Sequence, residues 1–512
     1  MIDRSGTALN GAGLITDLRP GSQPHGIGTA ATSRDGRPTI AILILGAVAV
    51  CSAVLLTAMP SSWIWESTRV LGVGVVLLFL VVWTSRLPMQ RSKTGFVIWW
   101  LALVSGCIFF REGDLTANVA AFKEQFPVAV YGEVLGWMLY LIAVLIFFAP
   151  VRGYMRGLFT GDYKWLTSFA LLCVASSIYA PRVLYALAWA FKLPVVVLLL
   201  LLCSTQIHDF RDTISFLRVT FWAYVLVVLL PVILGFASGL PFDEEGRMSP
   251  IVSPNALGPD AAALFVLALT LYSRVKGEGL RKSAVFIGAG ALAVMILAGS
   301  KTGIVSGVVA GVLFFALRKK FGSAFGYVAI AALLLFVMVL FTPLGSYFAH
   351  YEQSGEAATL TGRTSLWSNV MPAIWQKPVL GHGYQASMFV EMQVNAVQWG
   401  ASHLHNGFVE VLYNNGLLGL ILIVIIIFAI PRNLIRVLRR APSTDPVYRI
   451  AAGCLALYTL LFINGVFNAS FGGKARPPFM LLFALVLVSN KLLELVPPPS
   501  QRTAYVAWKE NS

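Results

Sequence analysis

Long apolar stretches follow one another along most of the chain and are separated by short polar connections. Between residues 39 and 496 they run for roughly 16 to 25 residues each, and an α-helix needs about 20 to cross the hydrocarbon core of a bilayer. The candidate spans begin near Ile40, Arg69, Gly95, Val128, Trp165, Leu184, Phe216, Ala256, Ala284, Gly303, Tyr327, Gly416, Ile450 and Phe479. The pattern predicts an all-α polytopic membrane protein with about 12–14 transmembrane helices.

The composition supports one membrane-embedded bundle rather than several soluble domains. Hydrophobic residues make up 57% of the chain and charged residues 12%, whereas about a quarter of the residues in a soluble domain are charged. The net charge of +15 comes mostly from Lys and Arg in the connections between apolar spans. Such residues orient a membrane protein, and no nucleic-acid motif accompanies them, so nucleic acid is not a predicted partner.

Basic connections alternate along the chain as the positive-inside rule requires. The predicted cytoplasmic connections collect their Lys and Arg in residues 86–93, 152–164, 274–282, 318–320 and 432–440. An even number of spans then places both ends of this sequence on the cytoplasmic side. The pattern therefore predicts which connections face outward.

Polar segments divide the chain into five predicted parts. Residues 1–38 are rich in Gly, Ser and Thr and predict a disordered cytoplasmic tail, and residues 39–341 form the first transmembrane bundle. Residues 342–415 are too polar to span and predict one large periplasmic loop that contains short helices. Residues 416–496 return as C-terminal transmembrane helices, and 497–512 form a second cytoplasmic tail. Long loops in compact proteins are typically functional, so we expect the chemistry in 342–415.

Several Lys and Arg residues lie on the predicted outer side, against the orientation rule. Arg247, Lys301 and Arg363 lie in short turns or in the long loop, and Lys474 and Arg476 lie in a connection predicted to be exposed. An anionic substrate is a sufficient physical reason for such cations. The alternative is that external Lys and Arg are simply solvated.

Three polar stretches on the outer side carry recognisable motifs. They are Arg247 with Pro254-Asn255, the turn Gly299-Ser-Lys-Thr-Gly303, and a loop series of Arg363 with Trp367, Pro378-Val-Leu-Gly-His-Gly383, and His405-Asn406 followed by Gly416 and Gly419. In order and spacing these motifs resemble the O-antigen ligase and polymerase superfamily, which includes Wzy-type polysaccharide polymerases and WaaL-like O-antigen ligases. The resemblance covers about residues 246–420. The chain departs from the family pattern at Lys301, where Arg is common, so a point charge replaces a bidentate fork.

The resemblance implies a fold, an activity and a location. It implies a GT-C-like membrane glycosyltransferase in the bacterial inner membrane, with the active site facing the periplasm. The implied reaction is that of an O-antigen or exopolysaccharide polymerase, which transfers an undecaprenyl-diphosphate-linked glycan chain onto the next lipid-linked repeat unit. We expect no cofactor and no metal, because fixed cations can stabilise the departing diphosphate. Candidate partners are the lipid-linked oligosaccharide, the membrane, a chain-length regulator and a flippase.

The motif residues then receive candidate roles. Arg247 and Arg363 are predicted to clamp the diphosphate, with Lys301 in support. His405 is the candidate general base, because a neutral imidazole can accept the proton of an attacking sugar hydroxyl.

Further residues of the loop are candidates for binding the substrate. Asn406 either orients His405 or caps the following helix. Trp367 and Tyr384 either stack on sugar rings or lie at the membrane interface, and Glu410 is placed to tune His405. His403 is a further candidate for contact with the substrate, although a structural or solvated role fits it equally.

Other functions remain open from the residues alone. An O-antigen ligase that transfers glycan to lipid A-core and a protein O-oligosaccharyltransferase share the same motifs and differ in their acceptor. A transporter or flippase is a more distant alternative, because few ionisable residues interrupt the spans. Lys192 is the main example, and it is predicted to snorkel or to pair with a neighbour.

Overall fold

The computed structural model describes residues 93–108, 128–148, 155–237, 242–243, 247–248, 252–272, 278–341, 363–389, 404–468 and 471–496. Within these ranges the fold is all-α, and the strand-like pairing is limited to one antiparallel bridge between Phe242 and Met248. The two predicted tails, the first two predicted spans and His403 lie outside the described residues.

The described α-helices are numbered here in chain order. They are α1 (Thr94–Ile108), α2 (Val128–Phe148), α3 (Tyr163–Ser176), α4 (Val183–Ala190), α5 (Lys192–Thr205), α6 (Phe210–Ala237), α7 (Pro254–Tyr272), α8 (Glu278–Leu297), α9 (Lys301–Leu317), α10 (Phe321–Phe341), α11 (Arg363–Gln376), α12 (Gly407–Arg440), α13 (Pro446–Phe467) and α14 (Pro477–Glu494).

Six of the described helical segments are long and apolar enough to cross a membrane. They are Val183–Thr205, Phe210–Ile233, Pro254–Tyr272, Gly407–Arg440, Pro446–Phe467 and Pro477–Glu494. Shorter apolar helices accompany them, among them α9 and parts of α1, α2, α8 and α10. The predicted class, an all-α polytopic membrane protein, is thereby confirmed, while the count of about 12–14 transmembrane helices stays a prediction.

Helix α7 lies at the centre of the bundle, in contact with α6, α8, α9 and α13. Small residues let these helices approach closely, as is common where helices pack in membranes. A Cβ atom added to Gly303 of α9 would lie 2.8 Å from the backbone carbon of Gly258 in α7. On another face of α7, Gly453 of α13 packs against Thr270 in the same way.

The two ends of the bundle differ in their polar residues. At one end, Asp162 accepts hydrogen bonds from Arg432 and Asn433 of α12, each at 2.8 Å, and Asn433 also bonds Asn490 of α14 at 2.7 Å. This end holds Arg439 and Arg440 in the last turn of α12, and we call it the basic end. The opposite end, where α7, α9 and α12 begin, is called the loop end.

The close approach of α9 to α7 generates a stability prediction. Gly303→Ala should lower the free energy of unfolding by about 1–3 kcal/mol, because the new methyl group meets backbone that cannot retreat without moving a helix. Denaturant titration in mixed micelles measures this change. Gly290→Ala is the matched control, since a Cβ at Gly290 meets nothing within 4 Å and should be neutral or stabilise by about 0.5–1 kcal/mol. Equal stability of the two variants would contradict the packing described here.

Candidate functional site

Helix α12 is interrupted at Gly416, and the segment 378–383 bridges the interruption. The backbone N–H groups of His382 and Gly383 donate to the carbonyls of Tyr413 and Asn414, at 2.8 and 2.9 Å. On the other side of the break, the N–H groups of Leu417 and Leu418 donate to the carbonyls of Pro378 and Val379, at 2.8 and 3.3 Å. The loop therefore satisfies backbone groups that an unbroken helix would have paired internally.

Two glycines permit this arrangement. Gly416 has φ 63° and Gly381 has φ 73°, a left-handed region that other residues enter only at a cost. A Cβ on Gly381 would lie 2.5 Å from the backbone nitrogen of Gly416, and a Cβ on Gly416 would overlap the carbonyl oxygen of Val379. Gly381 of the Pro-x-x-Gly-x-Gly element and Gly416 of the helix are thus both needed for this close approach of the two backbones.

His405 and Asn406 lie at the start of α12. The side-chain oxygen of Asn406 accepts from the N–H groups of Phe408 and Val409, at 2.9 and 3.1 Å, so Asn406 is the N-cap of the helix. His405, immediately before the cap, is half-buried and has φ 52°. A left-handed backbone at a residue other than glycine is uncommon and often marks a functional position.

Trp367 holds the segment that precedes His405. Its indole N–H donates to the carbonyl of Leu404 at 2.8 Å, and Leu404 packs in a buried apolar cluster with Val370 and Tyr413. His382 stacks on the Tyr413 ring, with ring centroids 4.5 Å apart. In this structure Trp367 and His382 therefore connect α11, the 378–383 segment and α12.

Arg363, the first residue of α11, reaches the end of α13. Its guanidinium donates to the backbone carbonyl of Phe467. The next residue, Asn468, donates from its side-chain amide to the carbonyl of Asn255 at 2.8 Å. Arg363 is thereby brought to the Pro254-Asn255 element at the start of α7.

Arg247 is held against the same end of the bundle by its neighbours. Its Nε and terminal nitrogen each lie 3.0 Å from the Asp243 carboxylate, whose other oxygen accepts from the Arg247 backbone N–H at 2.8 Å. The N–H of Met248 donates to the carbonyl of Leu297 at 2.9 Å. Arg247 is therefore next in sequence to a residue that contacts the end of α8, four residues before Lys301.

Lys301 is the first residue of α9, after the N-cap Ser300, whose hydroxyl accepts from the Gly303 N–H at 3.3 Å. Because Gly303 packs on Gly258, the first turn of α9 lies beside the first turns of α7. Three cations from segments far apart in sequence, Arg247, Lys301 and Arg363, thus lie on backbone that these contacts place at the loop end, where α7 begins. We call them the α7 cation group.

Glu410 and Tyr384 lie in the interior rather than at the surface. Glu410 is 2% exposed and accepts from the Ser387 hydroxyl at 3.2 Å. The Tyr384 ring is fully buried, and its hydroxyl donates to the carbonyl of Gly473 at 2.8 Å. A Cβ on Gly473 would lie 2.8 Å from the Glu410 carboxylate, so both side chains border the same backbone segment.

That segment, the connection from α13 to α14, is the part of the site that the sequence analysis missed. Phe471 packs on Gly407, where a Cβ would meet its carbonyl oxygen at 2.5 Å, and Lys474 is buried rather than exposed as predicted. Burial lowers the pKa of the Arg476 guanidinium to about 10. The sequence did contain two indications of this segment's importance. Lys474 and Arg476 stand against the orientation rule, and Gly472 and Gly473 lie beside them.

Across the described ranges, no group of three or more His, Cys, Asp or Glu side chains is placed to hold a metal ion.

The motif-bearing region is similar to known proteins. Residues 284–424 match the family Wzy_C, described as O-Antigen ligase. The chain is also 29% identical over 163 residues to the exopolysaccharide production protein ExoQ of Rhizobium meliloti (strain 1021), covering 30% of this chain and 35% of that protein. The chain thus spans about a third of the length of the curated relative that it matches. The family match includes Lys301, Arg363, Trp367 and the His405-Asn406 pair.

The bridged interruption of α12 yields a structural prediction. Gly416→Ala should expose the amides of His382, Gly383, Leu417 and Leu418 to solvent, because the methyl group displaces the 378–383 segment. Hydrogen exchange with mass spectrometry in nanodiscs measures this, and peptides from both segments should exchange faster. Gly326→Ala is the control, because a Cβ there meets nothing within 4 Å. Unchanged exchange in both segments would show that the bridge does not depend on the glycine.

Proposed function

We propose that this chain is a polysaccharide polymerase of the O-antigen ligase and polymerase superfamily, because residues 284–424 match the family described as O-Antigen ligase. It would transfer a glycan chain from undecaprenyl diphosphate onto the next lipid-linked repeat unit. The name of the R. meliloti relative, an exopolysaccharide production protein, supports a substrate of this type.

The observation that carries the proposal is the α7 cation group. The hydrogen bond from Arg363 to the backbone carbonyl of Phe467 holds its guanidinium at the end of α13. Asp243 fixes the guanidinium of Arg247 in place, and a diphosphate would share that guanidinium with the carboxylate. The group lies at the loop end, opposite the basic end. By the positive-inside rule the basic end faces the cytoplasm, which supports an inner-membrane protein whose site faces the periplasm.

The reaction places charge where these cations lie. An acceptor hydroxyl attacks the anomeric carbon of the donor sugar, the bond from that carbon to the diphosphate oxygen breaks, and the lipid diphosphate departs with an additional negative charge. Fixed cations stabilise such a leaving group without reorganising during the step. This role fits Arg363 and Arg247 as forked donors and Lys301 as a point charge.

The proton of the attacking hydroxyl goes to His405 in this proposal. The imidazole precedes the N-terminus of α12, where Asn406 caps the helix and Trp367 holds Leu404. These two residues act as positioning residues, since their described hydrogen bonds are to backbone. Their bonds fix the backbone on both sides of a left-handed histidine, which pre-organises its side chain.

A second candidate function is an O-antigen ligase, and the description of the matched family favours it. The donor and the departing diphosphate are the same in both reactions, so the α7 cation group serves either one. The acceptor distinguishes them, because a ligase takes lipid A-core and a polymerase takes another lipid-linked repeat unit. A protein acceptor would indicate an O-oligosaccharyltransferase.

Transfer in nanodiscs tests the activity and the clamp together. With a synthetic lipid-diphosphate repeat unit alone, the wild-type protein should produce a ladder of lengthening glycans on a gel. Arg363→Ala should reduce the rate at least about 100-fold, because it removes stabilisation of the leaving group. Lys377→Ala, which removes an exposed lysine from the same region, should leave the rate unchanged. Product formed only after lipid A-core is added would make the protein a ligase.

His405 should affect the chemistry without affecting donor binding. His405→Ala is expected to lower the rate about 100- to 10,000-fold, the usual contribution of a general base, while the donor still binds with wild-type affinity. Arg363→Ala should instead weaken donor binding, which equilibrium binding of the lipid diphosphate measures. Wild-type turnover in His405→Ala would remove the histidine from the mechanism and leave the clamp intact.

A further inference from the structure

Two lysines are buried around one indole ring, outside the α7 cation group. The ammonium of Lys192 lies 3.6 Å from the ring centroid of Trp189, and that of Lys474 lies 4.6 Å from the same ring. Both residues are buried, at 2% and 7% exposure. Trp137 and Tyr185 complete an aromatic surround, at 5.6 Å from Lys192 and 6.0 Å from Lys474. We call Lys192 and Lys474 the Trp189 lysine pair.

Placing this pair inside the protein opposes two physical tendencies. Two ammonium groups beside one ring repel each other, and burial removes most of their hydration. The faces of the surrounding aromatic rings offset part of this cost, and Glu410 borders Gly473, the residue before Lys474. The pair also lies at the loop end, which is predicted to face outward, where the orientation rule disfavours lysine. Intramembrane cations kept against these costs typically serve a substrate.

The pair is joined to the α7 cation group by one short piece of chain. Asn468, which bonds the Pro254-Asn255 element, precedes Lys474 by six residues. Six residues span at most about 20 Å, so this distance limits the separation of the two backbone positions. Between them, Phe471 packs on Gly407, two residues after His405. The candidate base therefore adjoins the middle of a connection that has one cation group at each end.

We propose that the Trp189 lysine pair binds the phosphate groups of the acceptor lipid while the α7 cation group holds the donor diphosphate. This inference rests on the proposed polymerase, in which both substrates are lipid diphosphates. The attacking hydroxyl belongs to a sugar of the acceptor, so the acceptor phosphates must lie some distance from the base. The Trp189 lysine pair, one member of which lies six residues beyond Asn468 in the same connection, offers a separate phosphate site of this kind.

Separating the two substrates tests the assignment. A lipid-diphosphate repeat unit serves as donor. The acceptor is a lipid-linked analogue in which carbon replaces the oxygen between the anomeric carbon and phosphorus, so that its sugar cannot be transferred. Lys192→Met and Lys474→Met remove each charge at similar volume, a change that buried sites often tolerate. Each should raise KM for the acceptor at least about tenfold, the effect of losing a charged hydrogen bond, with KM for the donor unchanged. Lys377→Met is the exposed control.

Each other result overturns the assignment. An unchanged acceptor KM in both folded variants removes the site, and an equal rise in both KM values indicates a structural role. Titrating phosphatidylglycerol into zwitterionic nanodiscs addresses the other source of phosphate. If the wild-type rate depends on that lipid and the Lys474→Met rate does not, at constant acceptor KM, the pair binds membrane phospholipid instead. A wild-type protein without any product would instead reject the proposed function itself.

Discussion

The geometry of the loop end depends on one constraint, the satisfaction of backbone hydrogen-bonding groups where α12 breaks. Gly416 ends the regular ladder, and the 378–383 segment supplies donors for Tyr413 and Asn414 and acceptors for Leu417 and Leu418. In a low-dielectric environment, unpaired groups at this depth would be costly. The bridge therefore fixes the first turns of α12 against the loop, and with them the position of His405.

The connection between α13 and α14 contacts most of the elements that meet at the loop end. It meets Arg363 and Asn255 at its beginning, Gly407 at its middle, and Glu410, Tyr384 and the indole of Trp189 near its end. These contacts combine tight glycine packing with buried charge, which is expensive. The described part of this connection is therefore held by several contacts, and in the proposed reaction cations fixed in this way would be in place before charge develops.

Chemical character and position were predictable to different degrees. The cations Arg247, Lys301 and Arg363 stood out because the orientation rule predicts few lysines and arginines on the outer side, and the structure places the segments that carry them at the loop end. The sequence allows two roles for Asn406, and its hydrogen bonds identify it as a cap. An aromatic side chain at Trp367 or Tyr384 fits both sugar stacking and a position at the membrane interface. Residue type alone therefore did not indicate that each side chain donates a hydrogen bond to a backbone carbonyl.

The sequence by itself determined the all-α membrane class, the motif order and the residues able to handle an anionic substrate, because hydropathy, helix length and charge placement are local properties of the chain. Only the tertiary structure decided which residues meet. Lys192 and Lys474 are separated by most of the bundle in sequence, and a shared indole ring brings them together. The same holds for Gly381 and Gly416, whose close approach follows from packing between segments, a property that no local pattern encodes.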